Sequence, residues 1–355
     1  MPVRRLASIL LLALAGCVAA PPAAAPTAGR GTVVRDTVVS AALAGNLLGD
    51  SPRREVEVYL PPGYGERPGR RYPVVYLLHG FGGTPAQWTE RFAVPRALDS
   101  LIAAGAVRPM IVVIPDAHNA YGGSFYAASP VAGDWEAFTA VELVRWADAR
   151  FRTLADPGGR AVAGWSMGGF GALRLAARHP DTFGAAYALS PCCMGPELAD
   201  ELGRNRAAWD TTLALAARPA PGATGFWTFF HLGLAALLSP DPGRPPLYVD
   251  FPFAPSGDTL APAEPAYTRW KRADADFAAR NADGLRRLRG LAFDVGSRDG
   301  FAHIPPSARR LAAQLDSARV PHAFEEYDGT HGSHVEARLR THVFPFLSRH
   351  LGGGR

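Results

Sequence analysis

The chain has 355 residues, of which 48% are hydrophobic and 19% charged, an ordinary globular composition. Its length allows one large domain or two modest ones. The formal net charge is +5, or +3 without Arg4 and Arg5, and no run of Lys and Arg is long enough to indicate a nucleic acid partner.

The N-terminus has the pattern of an export signal. Met1–Arg5 carries two positive charges, and Leu6–Ala15 is an apolar core too short to span a bilayer permanently. The next motif, Leu14-Ala15-Gly16-Cys17, resembles the lipobox of bacterial lipoproteins, in which the cysteine is lipidated. We therefore predict a signal peptide at 1–16 and a lipid anchor on Cys17 in the cell envelope. The alternative is ordinary cleavage near Ala23–Ala25, which would give a secreted or periplasmic protein.

The segment after the signal is rich in proline and alanine. Such a composition buries nothing, so residues 17–31 are predicted to form a flexible tether to a domain at 32–352. The domain begins with a predicted strand at Val33–Val39. Arg54–Leu60 alternates polar and apolar residues, as a half-exposed strand does.

Buried strands then alternate with helices along most of the chain. Strands are predicted at 73–78, 110–115, 161–163, 183–190, 290–296 and 322–327, and helices at 95–104, 134–151, 172–178, 274–289, 307–318 and 333–348. Alternation at this spacing indicates an α/β fold, with a mostly parallel central sheet and helices on both faces.

A nucleophile motif lies between a predicted strand and a predicted helix. Gly164-Trp165-Ser166-Met167-Gly168 fits the pattern G-x-S-x-G, in which a serine sits on a sharp turn above the sheet edge. The flanking glycines avoid clashes in that turn. We interpret Ser166 as a nucleophile. The alternative is a glycine-rich turn that contains an incidental serine.

A serine hydroxyl needs an imidazole to accept its proton and a carboxylate to orient that imidazole. In this fold class the acid follows a late strand, and Asp299 comes just after the strand that ends at Val295. Asp294 lies within that strand and Asp283 in a helix, so both are expected to be structural.

The base is expected after the last strand, where two histidines compete. His331 comes first in the loop after Tyr327, whereas His334 falls near the first turn of the final helix. We therefore favour His331 over His334.

Two backbone N–H groups are candidates for stabilising the negative oxygen of a tetrahedral intermediate. One belongs to Met167, directly after the nucleophile, and the other to Phe81, in the loop after an early strand. His79, at the end of that strand, is expected to hold the loop in shape.

The remaining cysteines give no metal signature. Cys192 and Cys193 are adjacent, and two buried thiols are expected in preference to a strained vicinal disulfide. With no Cys-x-x-Cys pair and no His-x-x-x-His spacing, no metal or other cofactor is predicted.

The chain resembles the esterase D branch of the α/β-hydrolases, which includes S-formylglutathione hydrolases, feruloyl esterases and the antigen 85 mycolyltransferases. The matching segments are 58–64, 72–80, 164–169 and 329–331. The resemblance implies an α/β-hydrolase fold, Ser166, Asp299 and His331 as the triad, and Phe81 and Met167 as oxyanion donors. The tryptophan that usually follows the histidine is absent here.

The resemblance also points to residues near the substrate. The candidates are His79, Gly82, Trp165, Tyr126 and Trp135. Residues 193–275 match the family poorly, are rich in proline and glycine, and contain the apolar run 226–238. That run is either a core helix or, as we favour, part of a cap-like insertion above the active site whose aromatics line an apolar acyl pocket.

The leading functional hypothesis is a serine carboxylesterase that forms an acyl-enzyme from a small-molecule ester and uses water as acceptor. The nearest alternative is transfer of the acyl group to a sugar or lipid hydroxyl, because the same triad serves both reactions. A third alternative is a non-catalytic hydrolase fold that binds at the cell envelope. A metal-dependent deacetylase is a weaker fourth.

Overall fold

The computed structural model describes residues 29–217 and 225–352. The predicted signal peptide, Cys17 and most of the predicted tether lie outside these ranges. Of the helices within them, none has the length and apolarity needed to cross a bilayer.

An eight-stranded sheet forms the centre of the domain. Its strands are β1 Thr32–Val39, β2 Arg53–Leu60, β3 Val74–Leu78, β4 Ile111–Pro115, β5 Arg160–Trp165, β6 Ala185–Leu189, β7 Gly290–Gly296 and β8 Ala323–Tyr327. They lie in the order β1-β2-β4-β3-β5-β6-β7-β8. β1 pairs antiparallel with β2, and β2 with β4, while the pairs from β4 onward are parallel. The predicted α/β class with a mostly parallel sheet is confirmed.

Helices cover both faces of the sheet. They are α1 Val94–Ala103, α2 at 135–150, α3 Met167–Arg178, α4 Glu197–Leu202, α5 Arg206–Ala217, α6 Phe226–Leu238, α7 Ala266–Arg272, α8 Phe277–Arg286, α9 Ile304–Ser317 and α10 at 335–350. Alternate residues of β3 enter different cores, since Val74 and Tyr76 pack with α2 and α3 whereas Val75 and Leu77 pack with α1 and α10. Burial on both faces explains why this strand is apolar throughout.

The segment 193–275 leaves the sheet after β6 and returns before β7, which is the neighbouring strand. In its described part it contains α4 to α7 and a small hairpin of Phe253–Ser256 with Thr259–Pro262, and it adds no strand to the central sheet. The C-terminal half of α6 is buried in the main core through Leu234 and Ala235. Its N-terminal half, with Phe226 and Phe230, reaches the site described next.

Candidate active site

Ser166 occupies the turn between β5 and α3 in a strained backbone conformation. Its φ is 57° and its ψ is −116°, values that a residue other than glycine seldom adopts. A side chain on Gly164 would overlap the carbonyl group of Gly168, and one on Gly168 would overlap the carbonyl group of Leu78. Both positions therefore require glycine, and together they let the turn place Ser166 above the sheet edge.

Asp299 and His331 lie on neighbouring loops at the same edge of the sheet. The Nδ1 of His331 is 2.7 Å from the Oδ2 of Asp299, whose side chain is fully buried. The other carboxylate oxygen accepts a hydrogen bond from the N–H of Phe301 at 2.9 Å. The loops are joined because the N–H of Arg298 donates to the carbonyl of Gly329 at 2.8 Å. The aspartate can thus hold the imidazole in a single orientation.

His331 is further fixed by aromatic neighbours. The indole N–H of Trp165 donates to the backbone carbonyl of His331 at 2.8 Å, and their rings lie 5.0 Å apart. The ring of Phe301 meets the imidazole edge-on at 4.9 Å. His334, in contrast, is exposed at the start of α10. The structure therefore brings His331, and not His334, to the side of Ser166.

The other two acidic residues lie elsewhere. Asp294 is buried within β7, where it accepts hydrogen bonds from Arg338 and from the hydroxyl of Tyr187, both at 2.7 Å. Asp283 lies fully exposed on α8 beside Arg286. Neither is placed where it could orient His331.

The loop after β3, which carries Phe81, lies next to the nucleophile turn. Within the part of the chain that the structure describes, neither the N–H of Phe81 nor that of Met167 donates a hydrogen bond. Met167 is the first residue of α3, where backbone N–H groups have no helical partner. Both donors are therefore left for a ligand.

His79 holds this loop in place through hydrogen bonds. Its Nε2 accepts a hydrogen bond from the N–H of Ala117 at 2.9 Å, so the proton resides on Nδ1, which donates to the carbonyl of Gly80 at 2.9 Å. Burial lowers the pKa of His79 to about 4, which keeps the ring neutral. The hydroxyl of Tyr126 donates to the carbonyl of His79 at 3.1 Å.

Gln87, which sequence reasoning missed, holds the same loop from the other side. Its Oε1 accepts a hydrogen bond from the N–H of Gly80 at 2.9 Å. The N–H of Gly82 donates to the carbonyl of Gly122 at 2.9 Å, which anchors the loop beyond Phe81. The only sequence signal is a polar residue shortly after a glycine-rich loop, and this is too common to identify it.

A cavity of about 180 Å³ opens over Ser166. Ser166 and His331 both line it, and its other walls are mostly aromatic, namely Phe81, Trp165, Cys192, Phe226, Phe230 and Phe301. Phe226 and Phe230 come from α6, and Phe301 follows Asp299 by two residues. Sequence reasoning placed aromatics of the 193–275 segment here in general terms but did not identify Phe301.

Cys192 and Cys193 form a vicinal disulfide, so the expectation of two thiols is wrong. The pair follows β6 directly, and the N–H of Cys192 reaches the carbonyl of Ser166 at 3.3 Å. The sharp local turn, with Cys193 at a φ of 67°, brings the two sulfur atoms together. Of the two cysteines, Cys192 lines the cavity over Ser166.

The substrate-side candidates divide into two groups. Trp165 lines the cavity over Ser166, and Gly82 lines an adjacent one. His79, Tyr126 and Trp135 are buried and line neither of these two cavities, and their assignment to the substrate side stays a prediction. The indole N–H of Trp135 donates a hydrogen bond to the carbonyl of Ala132 at 2.8 Å, so this polar group is satisfied within the core.

Among the described residues, no group of three or more His, Cys, Asp and Glu side chains could hold a metal.

Several curated proteins are similar to parts of the chain. An esterase of Mycobacterium tuberculosis is 41% identical over 140 residues, which cover 37% of this chain and 27% of that protein. An endo-1,4-beta-xylanase/feruloyl esterase of Xylanibacter ruminicola is 38% identical over 148 residues, covering 39% of this chain and 20% of that protein. The matches thus span only about a quarter of these relatives.

Solved structures share the fold over most of the chain. A ferulic acid esterase superposes with a TM-score of 0.64 at 24% identity, covering 91% of this chain and 100% of the other. An S-formylglutathione hydrolase from Agrobacterium tumefaciens gives a TM-score of 0.59 at 18% identity, covering 92% and 98%. The predicted α/β-hydrolase architecture is confirmed by these neighbours.

The family assignment follows from the widest sequence match. The model of the Esterase family, described as "Putative esterase", matches residues 51–337, which include the nucleophile turn and the loops that carry Asp299 and His331. The chain therefore belongs to the Esterase family.

Proposed function

We propose that the protein is a serine carboxylic-ester hydrolase that works through an acyl-enzyme. The observation that carries the proposal is the single cavity lined by Ser166 and by His331, whose imidazole is hydrogen-bonded to the buried Asp299. These are the three groups that acyl transfer to serine needs, in the chain order of this fold. Membership of the Esterase family supports the same chemistry.

In the first half-reaction the hydroxyl of Ser166 attacks the ester carbonyl while Nε2 of His331 accepts its proton. Asp299 keeps the proton on Nδ1 and stabilises the imidazolium that forms. The N–H groups of Phe81 and Met167 receive the negative oxygen, and each such donor is typically worth about 3 kcal/mol. His331 then protonates the departing alcohol, which leaves the acyl group on Ser166.

In the second half-reaction water attacks the acyl-enzyme, and His331 acts again, first as base and then as acid. The cavity walls favour an apolar acyl group because Phe226, Phe230 and Phe301 offer no hydrogen bond to a polar one. A volume of about 180 Å³ is small for a ligand site, so short acyl groups fit best.

Hydrolysis of p-nitrophenyl acetate by the wild-type protein and by Ser166→Ala tests the proposal. We expect turnover by the wild type and a loss of roughly 10⁶-fold in kcat for the variant. Equal rates would contradict the enzyme assignment and leave the non-catalytic alternative. Adding glycerol or glucose and looking for acylated products separates hydrolysis from acyl transfer, since transfer would consume the acyl-enzyme before water does.

We further propose that the chain is exported and anchored through a lipid on Cys17, on the strength of the charged and apolar N-terminal pattern and the Leu-Ala-Gly-Cys motif. Metabolic labelling of the expressing cell with a palmitate analogue tests this. Label on the wild-type chain and none on Cys17→Ala is the expected result. Label that survives the substitution, or no label, would contradict the anchor.

A further inference from the structure

The Cys192–Cys193 disulfide lies between the nucleophile turn and the loop that carries Asp299. The N–H of Cys192 reaches the carbonyl of Ser166 at 3.3 Å. The N–H of Cys193 donates to Nε2 of His303 at 3.2 Å, and His303 belongs to the same loop as Asp299. The turn at the disulfide therefore connects the two segments that hold the proposed nucleophile and its acid.

His303 is itself held in place, so that it can accept this hydrogen bond. Its side chain is buried, and its Nδ1 lies 2.6 Å from Oε2 of Glu201, which also accepts from the backbone N–H of His303. Because Nε2 accepts from Cys193, the proton resides on Nδ1 and is donated to Glu201. Glu201 belongs to α4, so the contact ties the 193–275 segment to the acid loop as well.

The chain on either side of the pair is anchored independently of the disulfide. Before it, β6 is paired with β5 and β7 in the central sheet. After it, the carbonyl of Met194 accepts from the hydroxyl of Ser307 at 2.7 Å, and the N–H of Gly195 donates to the carbonyl of Ala273 at 2.9 Å. Opening the disulfide is therefore expected to change the turn at 190–193 and to leave the rest of the fold in place.

The turn has a backbone conformation that the disulfide helps to maintain. Cys193 has a φ of 67° and Ser190 a φ of 41°, both in the left-handed region that residues with a side chain seldom adopt. The bond between the two sulfur atoms closes the turn around the peptide that joins the cysteines. Once that bond is broken, no covalent link holds Cys193 in this conformation, and its N–H is free to leave His303.

The cavity over Ser166 gives a reductant access to the pair. Cys192 lines this cavity, and the side chains of both cysteines are otherwise buried. At about 180 Å³ the cavity has room for a small organic dithiol and none for a folded protein. Accessible disulfides are the ones that thiols reduce, and attack is expected on Cys192 because its side chain faces the cavity.

We propose that the Cys192–Cys193 pair is a redox-sensitive positioning site, which a small dithiol reduces through the cavity and whose reduction slows the hydrolysis of esters. The inference rests on the esterase function proposed above. With the bond intact, the turn holds the Ser166 carbonyl and the Asp299 loop in register. With the bond reduced, both contacts loosen, and the rate falls because the proposed nucleophile and acid lose their fixed geometry.

The reduction is an ordinary thiol–disulfide exchange. A thiolate of the dithiol attacks Sγ of Cys192, the bond to Cys193 breaks, and the sulfur of Cys193 leaves with the electron pair and takes up a proton. The second thiolate of the reductant then attacks its own sulfur in the mixed disulfide and releases Cys192, which is protonated in turn. Two electrons and two protons pass to the protein, and the reductant becomes a cyclic disulfide.

The test uses the full chain with Cys17→Ala as its parent, because this leaves Cys192 and Cys193 as the only cysteines. The parent is treated with dithiothreitol and desalted under nitrogen, since free thiols cleave p-nitrophenyl acetate themselves. We expect kcat for that ester to fall about tenfold while KM stays within about threefold. Iodoacetamide labelling with mass spectrometry should find both cysteines modified after treatment and neither before it. Reoxidation with diamide should restore kcat, and circular dichroism should show the fold unchanged throughout.

The double variant Cys192→Ser, Cys193→Ser, made in the same parent, is the matched control. It is expected to have the lowered kcat of the reduced parent and to show no response to dithiothreitol. Phenylmethylsulfonyl fluoride tests the route of access, because an adduct on Ser166 fills the cavity and is expected to slow the reduction of the pair about tenfold.

Three results would overturn the inference: an unchanged kcat in the fully reduced parent, a loss that reoxidation does not reverse, or two free thiols in the untreated parent. Reduction at an equal rate with and without the adduct would overturn the route through the cavity. If the double variant does not fold, the reversible change in the parent still decides. Absence of hydrolysis by the oxidised parent would instead contradict the proposed esterase function, and with it the control of its rate.

Discussion

The loops at the carboxyl edge of the sheet and the 193–275 segment above them contribute to the same cavity in different ways. The edge loops hold Ser166, His331 and the Phe81 loop through directional contacts, such as the hydrogen bond between His331 and Asp299 and that between Gly80 and Gln87. The upper segment contributes Phe226 and Phe230, which pack without hydrogen bonds to the site.

Because of this difference, the rate of the reaction and the choice of ester depend on different parts of the molecule. Directional contacts fix atoms to within the tolerance that proton transfer and oxyanion binding require. Aromatic packing sets only the size and polarity of the space, and it tolerates change more readily. We therefore expect substitutions in the edge loops to lower the rate with all esters, and substitutions in α6 to change which ester is preferred.

The largest expected effect follows from removing the proposed base. In the proposed mechanism His331→Ala deprives Ser166 of its proton acceptor, and we expect kcat to fall by roughly 10⁴-fold or more. His334→Ala is the matched control, because His334 is exposed and outside the cavity, and its kcat is expected to stay within about twofold. Steady-state hydrolysis of p-nitrophenyl acetate measures both. The reverse order of effects would assign the base to His334.

A smaller effect is expected from Gln87, which positions the loop that carries the Phe81 N–H. Gln87→Met keeps the length of the side chain but removes the acceptor, so kcat is expected to fall about tenfold while KM changes little. Gln87→Glu retains an oxygen that can accept from Gly80 and should recover most of the rate. A change confined to stability, with kcat preserved in Gln87→Met, would show that the contact is merely structural.

The substitution Phe230→Leu tests whether the 193–275 segment sets the preference for the ester. The smaller side chain enlarges the space over Ser166, so kcat/KM for hexanoate relative to acetate is expected to rise about fivefold. Phe253→Leu is the control, since Phe253 is buried in the same segment against Trp209 and lies outside the cavity. The chain-length series of p-nitrophenyl esters measures this ratio. A uniform loss of rate with every ester would mean that Phe230 supports the catalytic groups instead.

The smallest effect concerns the support of α3, the helix behind Ser166. Burial alone would raise the pKa of Glu136, but hydrogen bonds from His179 and Arg178 outweigh it and lower the pKa to about 2. A depressed carboxyl pKa stabilises the fold above the ordinary value of 4.5, and that contribution is lost as the pH falls toward 2.

Glu136→Gln is accordingly expected to lower the free energy of unfolding by about 1 kcal/mol at pH 7, a figure reduced because Arg178 is half exposed. The difference from the wild type should shrink between pH 4.5 and pH 3. Urea unfolding across this range measures it, with the exposed Glu336→Gln as control. A difference that grows at low pH would contradict the assigned ion pair.

Most of the fold, and the place of the residues proposed to react, could be predicted because they depend on local patterns. The apolar runs at 73–78 and 290–296 are strands within a residue of the predicted limits. The G-x-S-x-G turn is recognisable because no residue but glycine fits at 164 and 168. The positions of His331 and Asp299 after strands predict that the two lie together, since the carboxyl ends of parallel strands share one edge.

The remaining features depend on burial, on local backbone conformation or on contacts between distant segments. The burial of His79, Tyr126 and Trp135 depends on the segments that pack around them, which sequence position does not reveal. The Cys192–Cys193 disulfide depends on a local turn with a positive φ at Cys193. Phe301 and Gln87 matter only through the side chains they meet, which chain order does not specify.

The central claim is that the edge loops make Ser166 the nucleophile that carries the acyl group. Treatment with a fluorophosphonate, followed by peptide mapping with mass spectrometry, tests it most directly. We predict one adduct per chain on Ser166, no adduct in Ser166→Ala, and labelling slowed by at least about a hundredfold in His331→Ala. An adduct on another residue, or equal labelling of the wild type and Ser166→Ala, would contradict the account.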